Sequence, residues 1–213
     1  MEGTSFAFDQ RANGYGRGEG IVCIVLKGAQ DAIKSNDVVR AIIRNTGINH
    51  CGRSQGITFP NGEAQSALID QVYRAVGLDP RDTLFVEGHG TGTQAGDPIE
   101  AKAIAKSFCC MERTAEHPLY LGSVKSNFGA RTSQRLWKNL TLDLGHLEGA
   151  SGILAVIKCV LMLEKRILLP NANFERSNPA FDLESHNLKV RDPETGKHHV
   201  SLDSSRVVER IIS

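Results

Sequence analysis

The sequence lacks the features that mark secreted, membrane-spanning and strongly charged proteins. Its net charge is only +1 at neutral pH, which gives no indication of a nucleic acid or an anionic membrane as partner. The N-terminus has no basic region followed by an apolar stretch, so no signal peptide is predicted. The longest apolar run, residues 153–163, contains Lys158 and is too short to cross a bilayer. We therefore expect a cytoplasmic protein with neither nucleic acid nor membrane as partner.

Paired cysteines, nucleotide-binding loops and hydrolase motifs are also lacking. The five cysteines are odd in number and form no CxxC pair, which suits a reducing cytosol better than a disulfide scaffold. The glycines at positions 14–20 do not have GxGxxG spacing, and no GxSxG elbow occurs. His198 and His199 are a poor metal site, so no metal is predicted. Disulfide-rich, dinucleotide-binding and serine-hydrolase classes are thereby excluded.

Alternating short apolar runs and amphipathic segments indicate an α/β fold in a chain of 213 residues. Strands are predicted at residues 21–26, 38–48, 83–86 and 119–124. Helices are predicted at residues 29–34, 63–76 and 147–164, the last buried nearly all round. A further helix is expected to begin with Asp97 as N-cap and Pro98 at its first position. The sheet is expected to be largely parallel or mixed.

Two histidines and a lysine lie in glycine-rich turns beside predicted strand ends. His89 lies in EGHGTGT (residues 87–93), Lys125 in GSVKSN (122–127) and His146 in GHLEGA (145–150). Glycine allows the backbone to approach a reacting group closely. In open α/β sheets, functional sites gather at the carboxyl ends of the strands. We therefore expect the two histidine loops to converge on one site.

Four ordered motifs resemble those of β-ketoacyl synthases. They are FD with GYGRGEG (residues 8–20), EGHGTGT with GDPIEA (87–101), GSVKSNFG with HLEGA (122–150) and ILLPNANF with NP (167–179). Gly88 stands where that family usually has alanine. The resemblance covers about residues 5–190 and is more specific than a lone glycine-rich loop. The motif sequences are closest to those of ketosynthase domains of iterative, highly reducing fungal polyketide synthases.

The resemblance implies a partial thiolase-like fold, with a mixed sheet and flanking helices, in which residues 1–190 form the C-terminal half of a ketosynthase domain. The implied activity is decarboxylative Claisen condensation of an acyl thioester with malonyl-acyl carrier protein. No cofactor is expected to bind directly, because the phosphopantetheine arm of the carrier delivers the substrate. The implied partners are the acyl carrier protein and the malonyl and acyl thioesters. The family forms homodimers, largely through the half that is absent here.

The resemblance also assigns roles to individual residues. His89 and His146 would donate hydrogen bonds to the malonyl carbonyl oxygen and stabilise the enolate formed on loss of CO2. Lys125 would order the second histidine, with Glu148 as its partner.

Two hydroxyl side chains of the EGHGTGT motif are also assigned by the resemblance. Thr91 and Thr93 match positions that contact the phosphopantetheine arm of the carrier protein.

The family's nucleophilic cysteine belongs to a DTACSS-like segment upstream of residue 5. None of the five cysteines has such a context, so the chain alone is expected to form no acyl-enzyme. A pseudogene product or a non-catalytic interaction fragment is the alternative interpretation.

Two segments depart from the family's pattern. Residues 130–145 stand between Gly129 and His146, which should be adjacent. This insert is either translated intron or a structural insertion. Residues 191–213 form a divergent tail that is expected to lack the family's final strands.

Overall fold

The computed structural model describes residues 4–52, 54, 56, 59–108, 112–127, 145–192 and 207–210, with the backbone alone at 127 and 207–210. The helices in these ranges are α1 (Ala29–Lys34), α2 (Gly62–Val76), α3 (Gly96–Ser107), α4 (Val124–Asn127) and α5 (Ser151–Lys165). The strands are β1 (Thr83–Glu87), β2 (Leu119–Gly122), β3 (Leu188–Lys189) and β4 (Val207–Arg210). Most of the predicted insert, residues 130–144, lies outside the described residues, as do His198 and His199.

The four strands form one sheet in the order β3-β2-β1-β4. Each of the three described pairings is parallel, and α3 connects β1 to β2. The predicted α/β class is therefore confirmed. The tail adds one strand to this sheet, because Val207 to Arg210 pair with Thr83 to Glu87; that the tail lacks the family's final strands stays a prediction.

Two apolar clusters surround β1, which is buried along its whole length. One cluster joins Val86 to α2 and α3 through residues such as Tyr73 and Ile104. The other joins Phe85 to α5 through Met162. Strand β1 is thus central to the fold, and the loop that follows it is held by packing on both sides. Among the described helices, none combines the length and apolar composition needed to cross a bilayer.

Helix α2 follows its sequence prediction closely. The Asn61 side chain accepts hydrogen bonds from the backbone N–H groups of Glu63 and Ala64 at 3.1 and 3.2 Å. Gly77 ends the helix at φ 65°, a left-handed conformation that glycine adopts without the steric cost of a Cβ. Local capping chemistry is sufficient to define this helix.

The predictions for α3 and α5 need correction. Helix α3 begins at Gly96 with Ala95 at the N-cap position, so Asp97 is not its N-cap. Thr93 Oγ1 accepts the Gly96 N–H at 3.2 Å. Helix α5 is not buried all round, since Ile153 and Leu161 are 36% and 48% exposed.

The predicted strands at residues 21–26 and 38–48 do not form within the described part of the chain. Ile21, Val25, Val38 and Ile48 are each at least 85% exposed. A strand needs a neighbour to take its N–H and C=O groups, and no described strand pairs with either segment. Their β-branched composition predicted a strand that the surrounding structure does not complete.

Candidate active site

Two carboxylates of α3 hold the His89 loop by accepting hydrogen bonds from its backbone. Glu100 accepts the backbone N–H groups of His89 and Gly90 at 2.6 and 2.8 Å. Asp97 accepts those of Gly92 and Thr93 at 3.1 and 3.2 Å. The loop backbone is therefore fixed by two side chains from the first five residues of the next helix. Sequence reasoning missed both roles, although acidic residues at the start of a helix were a usable signal.

Asp97 also ties the loop to the N-terminal segment, because its second oxygen accepts the N–H of Phe8 at 2.7 Å. Burial raises the pKa of the Asp97 carboxyl to about 7, with a further contribution from the Glu100 charge, against the stabilising effect of the three N–H donors. Burial likewise raises the pKa of Glu100. The loop thus rests on carboxyl groups that water reaches poorly.

Ser123 links the His89 loop to the end of β2. Its hydroxyl donates to the carbonyl oxygens of His89 and Gly90, at 3.1 and 2.9 Å. Its own N–H donates to Asn171 Oδ1 at 2.9 Å. Gly90 has φ 42°, and a Cβ there would lie 2.6 Å from the Ser123 Cβ. This close approach explains why the histidine is followed by glycine.

Lys125 contacts the first histidine directly. Its Nζ donates to the His89 carbonyl oxygen at 2.5 Å and lies 3.3 Å from His89 Nδ1. An ammonium group can only donate, so Nδ1 is the acceptor and the ring proton is on Nε2. These two bonds go to His89, and the role of Lys125 in ordering the second histidine stays a prediction.

His146 is held by backbone and ring contacts. Its N–H donates to the Gly16 carbonyl at 2.7 Å, and its own carbonyl accepts from Gly18 at 3.0 Å. The ring Nδ1 accepts the N–H of Glu148 at 3.0 Å and lies 2.8 Å from Ser151 Oγ. Because a backbone N–H occupies Nδ1, the proton of the neutral ring again lies on Nε2.

The two histidine rings lie against each other. Their centroids are 5.4 Å apart and their planes meet at 80°. His146 is 7% exposed, and the Tyr15 ring covers it at a centroid distance of 4.9 Å. The structure thus brings the two histidines together, although the predicted insert lies between them in the sequence.

The surroundings of His146 favour its neutral form. Burial lowers the pKa of the imidazole, and the charges of Lys125 and Arg17 act in the same direction, while Glu148 opposes them. A neutral ring with Nε2–H is a hydrogen-bond donor that carries no charge of its own. Such a donor can stabilise a developing anion without first attracting a substrate carboxylate as a counter-ion.

The ion pair described for Glu148 is with Arg17, and its predicted partnership with Lys125 stays a prediction. Its carboxylate lies 3.4 Å from Arg17 Nε, and both side chains are more than half exposed. What Glu148 contributes to the site is its backbone N–H, which donates to His146. The residue has φ 50°, a conformation that aims this N–H back at the ring.

Thr91 and Thr93 lie on the turn between His89 and α3. Their hydroxyl oxygens are 3.4 Å apart, and Thr93 Oγ1 accepts the Gly96 N–H. Thr91 is 7% exposed. Within the described ranges, no group of three histidine, cysteine or acidic side chains is arranged to hold a metal ion.

Comparison with known proteins identifies the family of this chain. The family "Beta-ketoacyl synthase, C-terminal domain" matches residues 40–133 and 142–175, so residues 134–141, inside the predicted insert, fall outside the match. The chain is 52% identical over 177 residues to highly reducing polyketide synthase Preu5 of Preussia isomera, covering 83% of this chain. It is 46% identical over 209 residues to highly reducing polyketide synthase dmxL2 of Cryptosporiopsis sp., covering 95%. The chain spans only 6% and 9% of those two proteins.

Solved structures show the same relationship. The ketosynthase from module 6 of the Bacillus subtilis bacillaene synthase aligns with a TM-score of 0.77 at 35% identity, covering 90% of this chain and 31% of that one. The oxazolomycin ketosynthase domain OzmH KS7 of Streptomyces albus aligns with a TM-score of 0.76 at 31% identity, covering 92% and 32%. The predicted thiolase-like fold is confirmed by these neighbours. The chain belongs to the β-ketoacyl synthase family, whose C-terminal domain it contains.

Proposed function

We propose that this chain supplies the two oxyanion donors of a decarboxylative Claisen condensation between an acyl thioester and a malonyl thioester on an acyl carrier protein. The observation that carries the proposal is the contact between the His89 and His146 rings, 5.4 Å apart. In each ring Nδ1 is occupied by a donor, so each presents Nε2–H. Two adjacent neutral donors fit one oxygen atom on which negative charge develops.

The reaction divides into two steps. The bond between the malonyl α-carbon and its carboxylate breaks, CO2 leaves, and the electron pair forms an enolate whose oxygen accepts from both Nε2–H groups. The enolate carbon then attacks the carbonyl carbon of the acyl thioester, a carbon–carbon bond forms, and the thiolate leaves. Each donor is worth about 100- to 1000-fold in kcat where such donors have been removed from other enzymes.

We propose that the cysteine that takes up the acyl group, and leaves as the thiolate in the second step, is not among these 213 residues. Of the cysteines in the described ranges, Cys23 and Cys51 are exposed. Cys159 is buried in the apolar cluster beside α5. The chain alone should therefore release CO2 from the malonyl substrate but form no condensation product.

The carrier arm and the compartment are also part of the proposal. The phosphopantetheine arm would approach along the turn that contains Thr91 and Thr93, so no cofactor has to bind to the chain itself. The odd number of cysteines without a CxxC pair supports the reducing cytoplasm as its compartment.

The proposed donors are tested by incubating the purified chain with malonyl-carrier protein and measuring CO2. We expect a slow release that falls about 100-fold in His89→Ala and in His146→Ala, and by little more in the double variant, because groups that act as a unit are not additive. His117→Ala is the matched control, since that residue is exposed. Equal rates in all four proteins would overturn the proposal. Intact-mass measurement with an acyl thioester should show no acyl-enzyme.

A non-catalytic interaction fragment is the second candidate. The exposed apolar side chains between Ile21 and Ile48 favour it, because large apolar patches mark interaction surfaces. No CO2 above background, together with formation of a stable complex with a complete ketosynthase on size-exclusion chromatography, would establish this candidate instead.

A further inference from the structure

An ion pair lies buried beneath the histidine site. Glu87 Oε2, on the last residue of β1, is 2.7 Å from Lys158 Nζ on α5, and the two side chains are 0% and 4% exposed. The Lys158 ammonium also lies 5.5 Å from the centre of the Phe85 ring. Taking two charges out of water is unfavourable unless the geometry is good and the remaining lone pairs are satisfied. A pair so fully withdrawn from solvent therefore indicates a role beyond general stability.

The second oxygen of Glu87 has a partner of its own. Oε1 accepts the backbone N–H of Val124, the residue directly before Lys125. Glu87 precedes His89 by two residues. One carboxylate therefore connects the His89 loop to the turn that carries Lys125.

Through Lys158 the same carboxylate reaches the segment of the second histidine. Lys158 lies on α5, whose first residue, Ser151, contacts His146 Nδ1. The ion pair thus joins the elements that carry His89 and His146 without touching either ring.

We propose that Glu87 and Lys158 are positioning residues that hold the His89 and His146 rings in their mutual arrangement. The inference rests on the proposed function, in which both rings act on one oxygen atom. In the family's motif, Gly129 is joined directly to His146, but here sixteen residues intervene. A short covalent link is therefore not available to set the distance between Lys125 and His146, whereas the Glu87–Lys158 pair fixes α5 against β1 directly.

The test compares Lys158→Met, Glu87→Gln and their double variant in the full chain. Methionine keeps much of the length of lysine without its charge, and glutamine keeps an acceptor for the Val124 N–H. Glu63→Gln and Lys106→Met are the matched controls, because that pair joins α2 to α3 at 2.6 Å with both side chains more than half exposed. The measurements are kcat and KM for release of CO2 from malonyl-carrier protein, the imidazole 15N signals of His89 and His146, and the urea midpoint.

Each single variant leaves one buried charge without its partner, so its urea midpoint should fall. Its kcat should fall by about 10- to 100-fold, the effect of a small misplacement of reacting groups, with KM changed less than about 2-fold. The double variant buries no unpaired charge and should regain the midpoint. It should not regain kcat or the histidine signals, because the charged link between β1 and α5 is still absent and only their apolar contact remains. The control variants should match the wild type.

A double variant with wild-type kcat and wild-type histidine signals would overturn the inference and leave the pair a purely structural element. If the wild-type chain releases no CO2, the proposed function fails, and the imidazole signals alone decide the inference: shifted signals in the double variant support positioning, and unchanged signals contradict it. If the single variants do not fold, the double variant decides in the same way.

Discussion

Two regions of this chain have similar apolar sequences but different structures. Residues 83–87 (TLFVE) form β1, which has a parallel neighbour on each side and is buried throughout. Residues 21–26 (IVCIVL) are more apolar, yet Ile21 and Val25 are 101% and 94% exposed. The comparison shows that β-branched composition makes a segment suitable for a strand, while the neighbouring strands determine whether one forms.

The charged groups of the two regions differ in the same way. Around β1, Glu87, Glu100 and Lys158 are each at most 5% exposed and have specific partners. Near residues 21–26, the pair of Lys27 and Asp37 is more than 40% exposed on both side chains. Because the first set is buried, substitutions in it should lower the free energy of unfolding. Substitutions in the exposed second set should change it little.

The largest contrast is expected from truncating one apolar side chain in each region. Phe85→Ala removes a ring that is 2% exposed and should lower the free energy of unfolding by about 3 to 5 kcal/mol. Val25→Ala should change it by less than about 0.5 kcal/mol. Urea unfolding of both variants measures the difference. Equal losses would show that residues 21–26 are buried in solution.

A glycine comparison gives the next largest effect. Gly92 has φ 81°, and a Cβ there would lie 2.8 Å from the Phe6 backbone nitrogen, whereas Gly52 has φ 59° and nothing within 4 Å. Gly92→Ala should therefore lower the free energy of unfolding by about 2 to 4 kcal/mol, from backbone strain and overpacking together.

Gly52→Ala serves as the control for strain without a steric clash. It should lower the free energy of unfolding by about 1 kcal/mol, the strain alone. A Gly92→Ala loss no greater than that of Gly52→Ala, measured by urea unfolding, would contradict the close contact with Phe6.

The pH dependence of stability should reveal Asp97. The pKa of its carboxyl is raised to about 7 in the folded chain from an ordinary 3.8. Its contribution is therefore fully present below about pH 3.8 and is lost as the pH rises through 7. Asp97→Asn should reduce the fall in unfolding free energy between pH 4 and 7, seen in urea titrations across that range. Glu100 titrates in the same direction, so the dependence should become weaker without vanishing.

Asp97→Asn should also be less stable than the wild type at low pH. The amide can direct only one acceptor oxygen at donors, and one of the Phe8, Gly92 and Thr93 N–H groups loses its partner, at about 1 to 3 kcal/mol. If the unfolding free energy of Asp97→Asn falls between pH 4 and 7 as steeply as that of the wild type, the titrating group is not Asp97.

The smallest effect is expected at an exposed ion pair. Lys27→Met removes the partner of Asp37, and both side chains are half-exposed. The change in unfolding free energy should be below about 0.5 kcal/mol and should shrink further in 0.5 M salt, because surface pairs are screened. A loss above 1 kcal/mol would place this pair in a buried setting.

Features that depend on a few neighbouring residues could be predicted from the sequence. Asn61 and Gly77 define the ends of α2 through their own capping chemistry. The glycines around His89 indicate a turn at the end of β1. The convergence of the two histidine loops was predicted from the general rule that sites lie at the carboxyl ends of strands. These predictions needed no knowledge of distant contacts.

Features that depend on distant residues could not be predicted. Nothing in the local sequence of Asp97 shows that its carboxylate accepts the N–H of Phe8, and a helix N-cap was the best local interpretation. The Glu87–Lys158 pair likewise joins residues that are far apart in the chain. The strand predicted at residues 21–26 also depends on distant residues. Its sequence pattern is that of a strand, but no described strand pairs with it.

The backbone pairing of His146 has a consequence for the time course of folding. The N–H of His146 bonds to Gly16 and its carbonyl to Gly18, so the His146 segment completes a contact with residues that lie far earlier in the sequence. Contacts of such long sequence separation form slowly, since a large loop must close before they contribute. We expect helix α2, whose caps are local, to appear early in refolding, and the paired imidazoles to be the last part of the molecule to reach their native environment.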